Sequence, residues 1–99
     1  MGNKRLTILA RIKAKQSMEE KVREELLSLV TPTRSKRGCI NYDLHQSLEN
    51  KSLFMLYENW VSKKDLDEHV AMPYFKELME KAKEILAEPV EITLWDKIG

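Results

Sequence analysis

Four short stretches of this chain alternate apolar and polar residues with a period of two, and the spacers between them decide what the four can build. Leu6, Ile8, Ala10, Ile12 and Ala14 alternate with Thr7, Leu9, Arg11, Lys13 and Lys15, the pattern of a strand with one apolar face. Ile40, Tyr42 and Leu44 repeat it against Asn41, Asp43 and His45. Leu53 to Trp60 makes a third such stretch, and Val90, Ile92 and Leu94 a fourth, set against Glu91, Thr93 and Trp95. Only the polar turn Leu48-Glu49-Asn50-Lys51 separates the second from the third, so these two form a hairpin.

The other two spacers are long and helical. Ser17-Met18-Glu19-Glu20 reads as a capping box, and Met18, Val22, Leu26 and Leu29 follow at helical spacing. Pro32 disturbs or ends that helix, and Gly38 marks the turn into the next strand. After the third strand, Ser62 with Asp65 caps a short helix that carries Leu66, His69 and Val70. Pro73 suits the first position of another helix, with Phe75, Leu78, Met79, Ala82 and Leu86 as its apolar stripe and Pro89 as its stop. The order strand, helix, strand, strand, helix, strand predicts an α+β, ferredoxin-like split βαβ fold: a four-stranded antiparallel sheet with its helices on one face. A chain of 99 residues makes one domain, 1–99, with a single modest core.

The face of the sheet away from the helices would carry Leu9, Leu53, Met55, Tyr57 and Trp95. A large apolar patch marks a partner surface more often than not, and sheet-to-sheet homodimerisation is the expected use. A C-terminal segment folded over the sheet would need more residues than follow Trp95.

Charge excludes some classes of function. With 17 basic and 16 acidic residues there is no basic excess to track nucleic acid, and the alternating lysines and glutamates read as solvated helix surface. Cys39 is the only cysteine, so neither an internal disulfide nor a Cys-based metal site is expected. His45 and His69 lie on different elements with opposite orientations, which gives no metal-ligand pattern. No stretch is long and apolar enough for a membrane span, and no secretory signal stands at the start. Met1-Gly2-Asn3 fails as an acylation motif because position 6 is Leu. A cytoplasmic setting is expected.

The segment RGCINYDLHQSLENKSLFMLYENWVSKKDLDEHVAMPYFKEL resembles the central signature of the antibiotic biosynthesis monooxygenase domain. The resemblance is carried by Gly38-Cys39 and Tyr42, by Leu56-Tyr57-Glu58 and Trp60, by Leu66 and His69, and by Pro73 and Phe75, with Pro32-Thr33-Arg34 ahead of them. It implies a dimeric α+β barrel, each subunit with a pocket between sheet and helices. Members of that family include oxygenases that act on hydroquinone- or anthrone-like aromatics without metal, flavin or haem; others degrade haem or isomerise a small phosphorylated ketone. Haem degraders use an asparagine on the first strand and a histidine on the last helix. Arg5 to Lys15 contains no Asn and 73–87 no His, which disfavours that branch.

Glu58 is the sharpest single clue. Strand parity puts it in the apolar row with Phe54, Leu56 and Trp60, where an unpartnered carboxylate costs several kcal/mol or shifts its pKa upward. His69 is the expected partner: Glu58 would orient it, and His69 would take a proton from a phenolic or enolic substrate. The alternative is that Glu58 only anchors the start of the 62–70 helix. Trp60 and Tyr42 would line a flat pocket for an aromatic ring, extended by Phe54 and Phe75, or else would be plain core. The expected partners are thus a small aromatic substrate, dioxygen and a second copy of the chain. An isomerase of a small polar metabolite, with Arg34 converging on the pocket, and a non-catalytic binding dimer with a filled pocket stand as alternatives.

Overall fold

The alternation of the first stretch becomes the centre of the sheet. In the computed structural model, which describes residues 5–99, Ile8, Ala10 and Ile12 of β1 (Leu6–Lys13) are buried. The Met1-Gly2-Asn3 start, and the acylation motif tested on it, lie outside the described residues. β1 pairs antiparallel with β3 (Leu53–Trp60) on one side and β4 (Glu91–Trp95) on the other. β2 (Cys39–Gln46) joins β3 as the predicted hairpin, so the strand order is β2-β3-β1-β4. Three helices complete the described residues: α1 (Glu19–Arg34), α2 (Lys63–Val70) and α3 (Pro73–Ile85). This is the predicted α+β, ferredoxin-like fold with a four-stranded antiparallel sheet.

The core lies between one face of that sheet and the helices. Val22, Leu26 and Leu29 of α1 and Leu78 and Ile85 of α3 close over Ile8, Ala10, Ile12, Phe54 and Leu56. None of the helices among the described residues is long and apolar enough to cross a membrane.

Local details depart from the expectation at four points. Ser17 has φ 74°, a left-handed turn, so α1 starts from Met18 with no side-chain cap and no capping box forms. Met18 is consequently half-exposed rather than core. Pro32 lies inside α1 near its end, and the helix runs on to Arg34; a proline in the last turn forfeits one N–H bond without stopping the chain. A bulge between Cys39 and Asn41 leaves Ile40 out of the buried row, as an extra residue in a ladder must. Leu86 belongs to an extended segment after α3 and bridges to Ala14.

Candidate active site: a carboxyl, an indole and an imidazole

Registers across the sheet put Tyr42, Glu58, Ile8 and Leu94 in one rank on the helix-covered face. Glu58 is 5% exposed and Trp60 is 0% exposed. Residues two apart on a strand share a face, so the indole two positions on can turn back to the carboxylate. It does: Trp60 Nε1 donates to Glu58 Oε1 at 2.9 Å. Among the described residues no hydrogen bond joins Glu58 to His69, so the expected pair is replaced by a carboxyl–indole pair along the strand.

His69 reaches the same neighbourhood from α2. Ser62 caps that helix as predicted, its side chain accepting from Asp65 N–H. Gly38 adopts φ +89°, and a Cβ there would run into the Asp65 side chain. A glycine is required both for the left-handed turn and for the contact, and Val61 N–H donates to Gly38 O at 2.8 Å beside it. The turn before β2 is thereby locked to the start of α2, and α2 lowers His69 into the interior at 1% exposure. The imidazole stacks on Trp60 with ring centroids 4.9 Å apart and planes at 29°. Phe75 (5.1 Å) and Tyr42 (5.8 Å) meet it edge-on, and Tyr74 lies tilted at 6.1 Å. Its Nδ1 has no hydrogen-bond partner among the described residues.

On the far side of Glu58 is a cavity of about 50 Å³ between the sheet, α1 and α3. Glu58, Tyr42 and Phe75 line it, with Leu26, Leu78 and Met79 among its apolar walls. His69, Trp60 and Phe54 do not. Phe54, opposite Ile12 and Gln46 in the sheet, is buried core. Of the six side chains expected at the site, Glu58, Tyr42 and Phe75 line the cavity, Trp60 and His69 pack against one another beside Glu58, and Phe54 lies in the core.

Burial sets the ionisation of both groups. It pushes the Glu58 carboxyl up to about 7, with the Trp60 hydrogen bond pulling the other way. It pushes His69 down to about 4, helped by the cation of Lys36. The Tyr42 phenol is raised well above its ordinary value by burial and then by Glu58. Burial thus favours the uncharged form of each group, the neutral imidazole and the protonated carboxyl. Of the two groups, the carboxyl is the one that burial moves towards neutral pH.

Two further features escaped the sequence reading. Tyr74, adjacent to the predicted Phe75, is the fourth ring around His69. On the open face, Thr7 Oγ1 donates to Asn59 Oδ1, Asn59 Nδ2 to Asn41 Oδ1, and Asn41 Nδ2 to Asp43. The alternating Asn41 and Asn59 in neighbouring strands carried that signal. Arg34 donates to Tyr42 O and Asp43, which turns it away from the cavity. No group of three or more His, Cys, Asp or Glu side chains among the described residues is arranged to hold a metal ion.

Comparison with known proteins follows the same outline. Residues 5–81 match the family Antibiotic biosynthesis monooxygenase. "Putative monooxygenase Rv0793" of Mycobacterium tuberculosis is 32% identical over 90% of this chain and 87% of its own length. The solved structure of Rv0793 superposes with a TM-score of 0.90, covering 96% of both chains at 28% identity. PA3566 from Pseudomonas aeruginosa is closer in shape, with a TM-score of 0.93 at 30% identity over 98% of this chain and 97% of that one. "Uncharacterized protein sll1783" of Synechocystis is 31% identical over 91% of this chain, which spans only 61% of that longer protein. The chain belongs to the antibiotic biosynthesis monooxygenase family.

Proposed function

We propose that the monooxygenase-like function of this family takes the form, in this chain, of cofactor-independent oxygenation of an electron-rich aromatic such as a quinol. The observation that carries this reading is a buried carboxyl, Glu58, held near neutrality on the wall of a mostly apolar cavity, whose other carboxyl, Glu25, is ion-paired to Lys21 and Lys81. Glu58 as carboxylate takes a phenolic proton. The phenolate gives one electron to dioxygen, and the two radicals join in a new C–O bond. The resulting hydroperoxide loses water as a carbonyl forms, so hydroquinone and dioxygen yield hydroxyquinone and water. Glu58 returns its proton to the terminal oxygen of the peroxide anion to make that hydroperoxide, the ring C–H proton leaves with the hydroxide as the water, and the apolar walls keep bulk water from the reduced oxygen species.

A cavity of about 50 Å³ is smaller than the roughly 150 Å³ apolar void that accepts benzene. Ring binding therefore requires side chains of α1 and α3 to part, with Tyr42 and Phe75 flanking the ring. An isomerase acting on a phosphorylated or similarly charged metabolite would need cations at the cavity, and Arg34 is committed elsewhere. A second copy of the chain is proposed to cover the open sheet face.

An oxygen electrode with menadiol-like quinols tests the reading. Glu58→Gln should slow oxygen uptake by about a hundredfold or more, the usual worth of a general base. Uptake by Glu58→Gln at the parent rate, or none by the parent across such a panel, would sink it.

A further inference from the structure

Trp60 lies between the two ionisable side chains and touches each with a different part of its ring. Its edge gives the indole's only hydrogen bond, to Glu58 Oε1 at 2.9 Å. Its face lies against the His69 imidazole at 4.9 Å. Both contacts are sealed from solvent, with Trp60 at 0% and His69 at 1% exposure.

The hydrogen bond to Glu58 depends on the tilt of the indole, because one N–H must be aimed at one oxygen. The ring that lies against the indole's face from outside the sheet is that of His69. It is delivered by α2, whose start is fixed against Gly38 through Asp65. Since Nδ1 of the imidazole bonds to none of the described residues, what His69 offers the indole is a flat face of the right thickness.

We propose that His69 is a positioning residue for Glu58: its imidazole face holds the Trp60 indole so that the indole N–H fixes the Glu58 carboxylate at the cavity wall. The role expected from sequence is thereby reversed. Glu58 does not orient His69; His69 orients Glu58, at one remove. The proposal rests on the reading of Glu58 as the base.

Few other groups compete for control of that carboxylate. The titratable groups around it are Tyr42 and Cys39 on β2, Glu25 across the cavity on α1, and His69 behind Trp60. Lys36 acts on His69 from the turn after α1. From β1 and α3 the cavity receives only apolar side chains, Ala10 and Ile12 from the strand and Phe75, Leu78, Met79, Ala82 and Ile85 from the helix.

The test is the titration of Glu58 itself, read by carbon-13 NMR on glutamate-labelled full-length protein without substrate, with Glu58→Gln assigning the resonance. Trp60→Phe removes a donor to the charged form and should raise the midpoint by roughly one to two pH units. His69→Leu, which fills space without a flat face, should raise it part of that way. His69→Phe keeps a flat ring and should leave the midpoint near the parent's. In the Trp60→Phe background, His69→Leu should add nothing.

A parental midpoint in His69→Leu overturns the proposal, and so does an undiminished further shift in the double variant. If His69→Leu fails to fold, His69→Phe decides alone: a midpoint near the parent's supports the proposal, and one matching Trp60→Phe overturns it. Because no substrate is present, failure here is distinct from failure of the oxygenase reading, which shows as unchanged oxygen uptake in Glu58→Gln.

Discussion

Glu58 and His69 pull the stability of the fold in opposite directions as pH changes. Glu58 titrates at about 7 in the folded chain against 4.5 for a free glutamate. Between those values the folded state holds a proton that the unfolded state has released. Stability from this group therefore falls as pH rises, by at most about 1.4 kcal/mol per unit. His69 titrates at about 4 against 6.5. Between those values it is the unfolded state that holds the extra proton, and stability rises with pH. Where the two windows overlap, from about pH 4.5 to 6.5, the slopes offset. Thermal melts relative to the parent should separate them: Glu58→Gln should gain Tm with rising pH across that window, and His69→Phe should lose it. Parallel curves for all three proteins would show that neither group is perturbed as the burial implies.

α3 is the element that sizes the cavity. It places Phe75, Leu78, Met79 and Ala82 along one wall, and the ion pair from Lys81 to Glu25 at 3.3 Å ties that helix to α1 beside them. Ala82→Leu should fill the void and lower quinol-dependent oxygen uptake at least tenfold. Stability should stay within about 1–3 kcal/mol of the parent, the usual range for overpacking, as checked by urea melts. Retained uptake with normal stability would mean that the substrate does not enter here.

This helix and the strands were legible because period is a one-dimensional signal: Phe75, Leu78 and Ala82 mark a face in sequence as they do in space. The caps divided on backbone conformation. Ser62 is extended and caps, whereas Ser17 has the same chemistry but turns left-handed and does not. The Glu58 pairing is hidden for a similar reason. Parity puts the carboxyl inside, but it does not distinguish a partner two residues along the same strand from one on the next helix. Whether Trp60 lines the cavity or packs beside Glu58 depends on how α2 and α3 settle against the sheet, and no local pattern encodes that.

At the scale of the whole molecule, the two faces of the sheet are unequally finished. The helix side is closed except along β4, where Ile92 and Leu94 remain half-exposed. The other side carries a bonded polar rank, Asn41, Asn59 and Thr7, that ends at Trp95. The next rank, Asp43, Tyr57, Leu9 and Thr93, brings apolar groups to its middle. A second copy laid on this face would bury Tyr57, Met55 and Trp95 together. Sedimentation velocity should find the parent dimeric and Tyr57→Arg monomeric with its helix content unchanged; a monomeric parent, or a dimeric Tyr57→Arg, would argue against this surface. The chain's two tryptophans stand on opposite sides of the same sheet, one sealed against a titrating carboxyl and a neutral imidazole, the other 53% exposed with its N–H on Thr93. Their emission should therefore separate by colour and by access to quenchers: a blue, shielded component expected to follow the proton on Glu58, and a red, quenchable one expected to follow whatever covers the open face. The fold carries its own pair of optical gauges, one for each surface, with no label to attach.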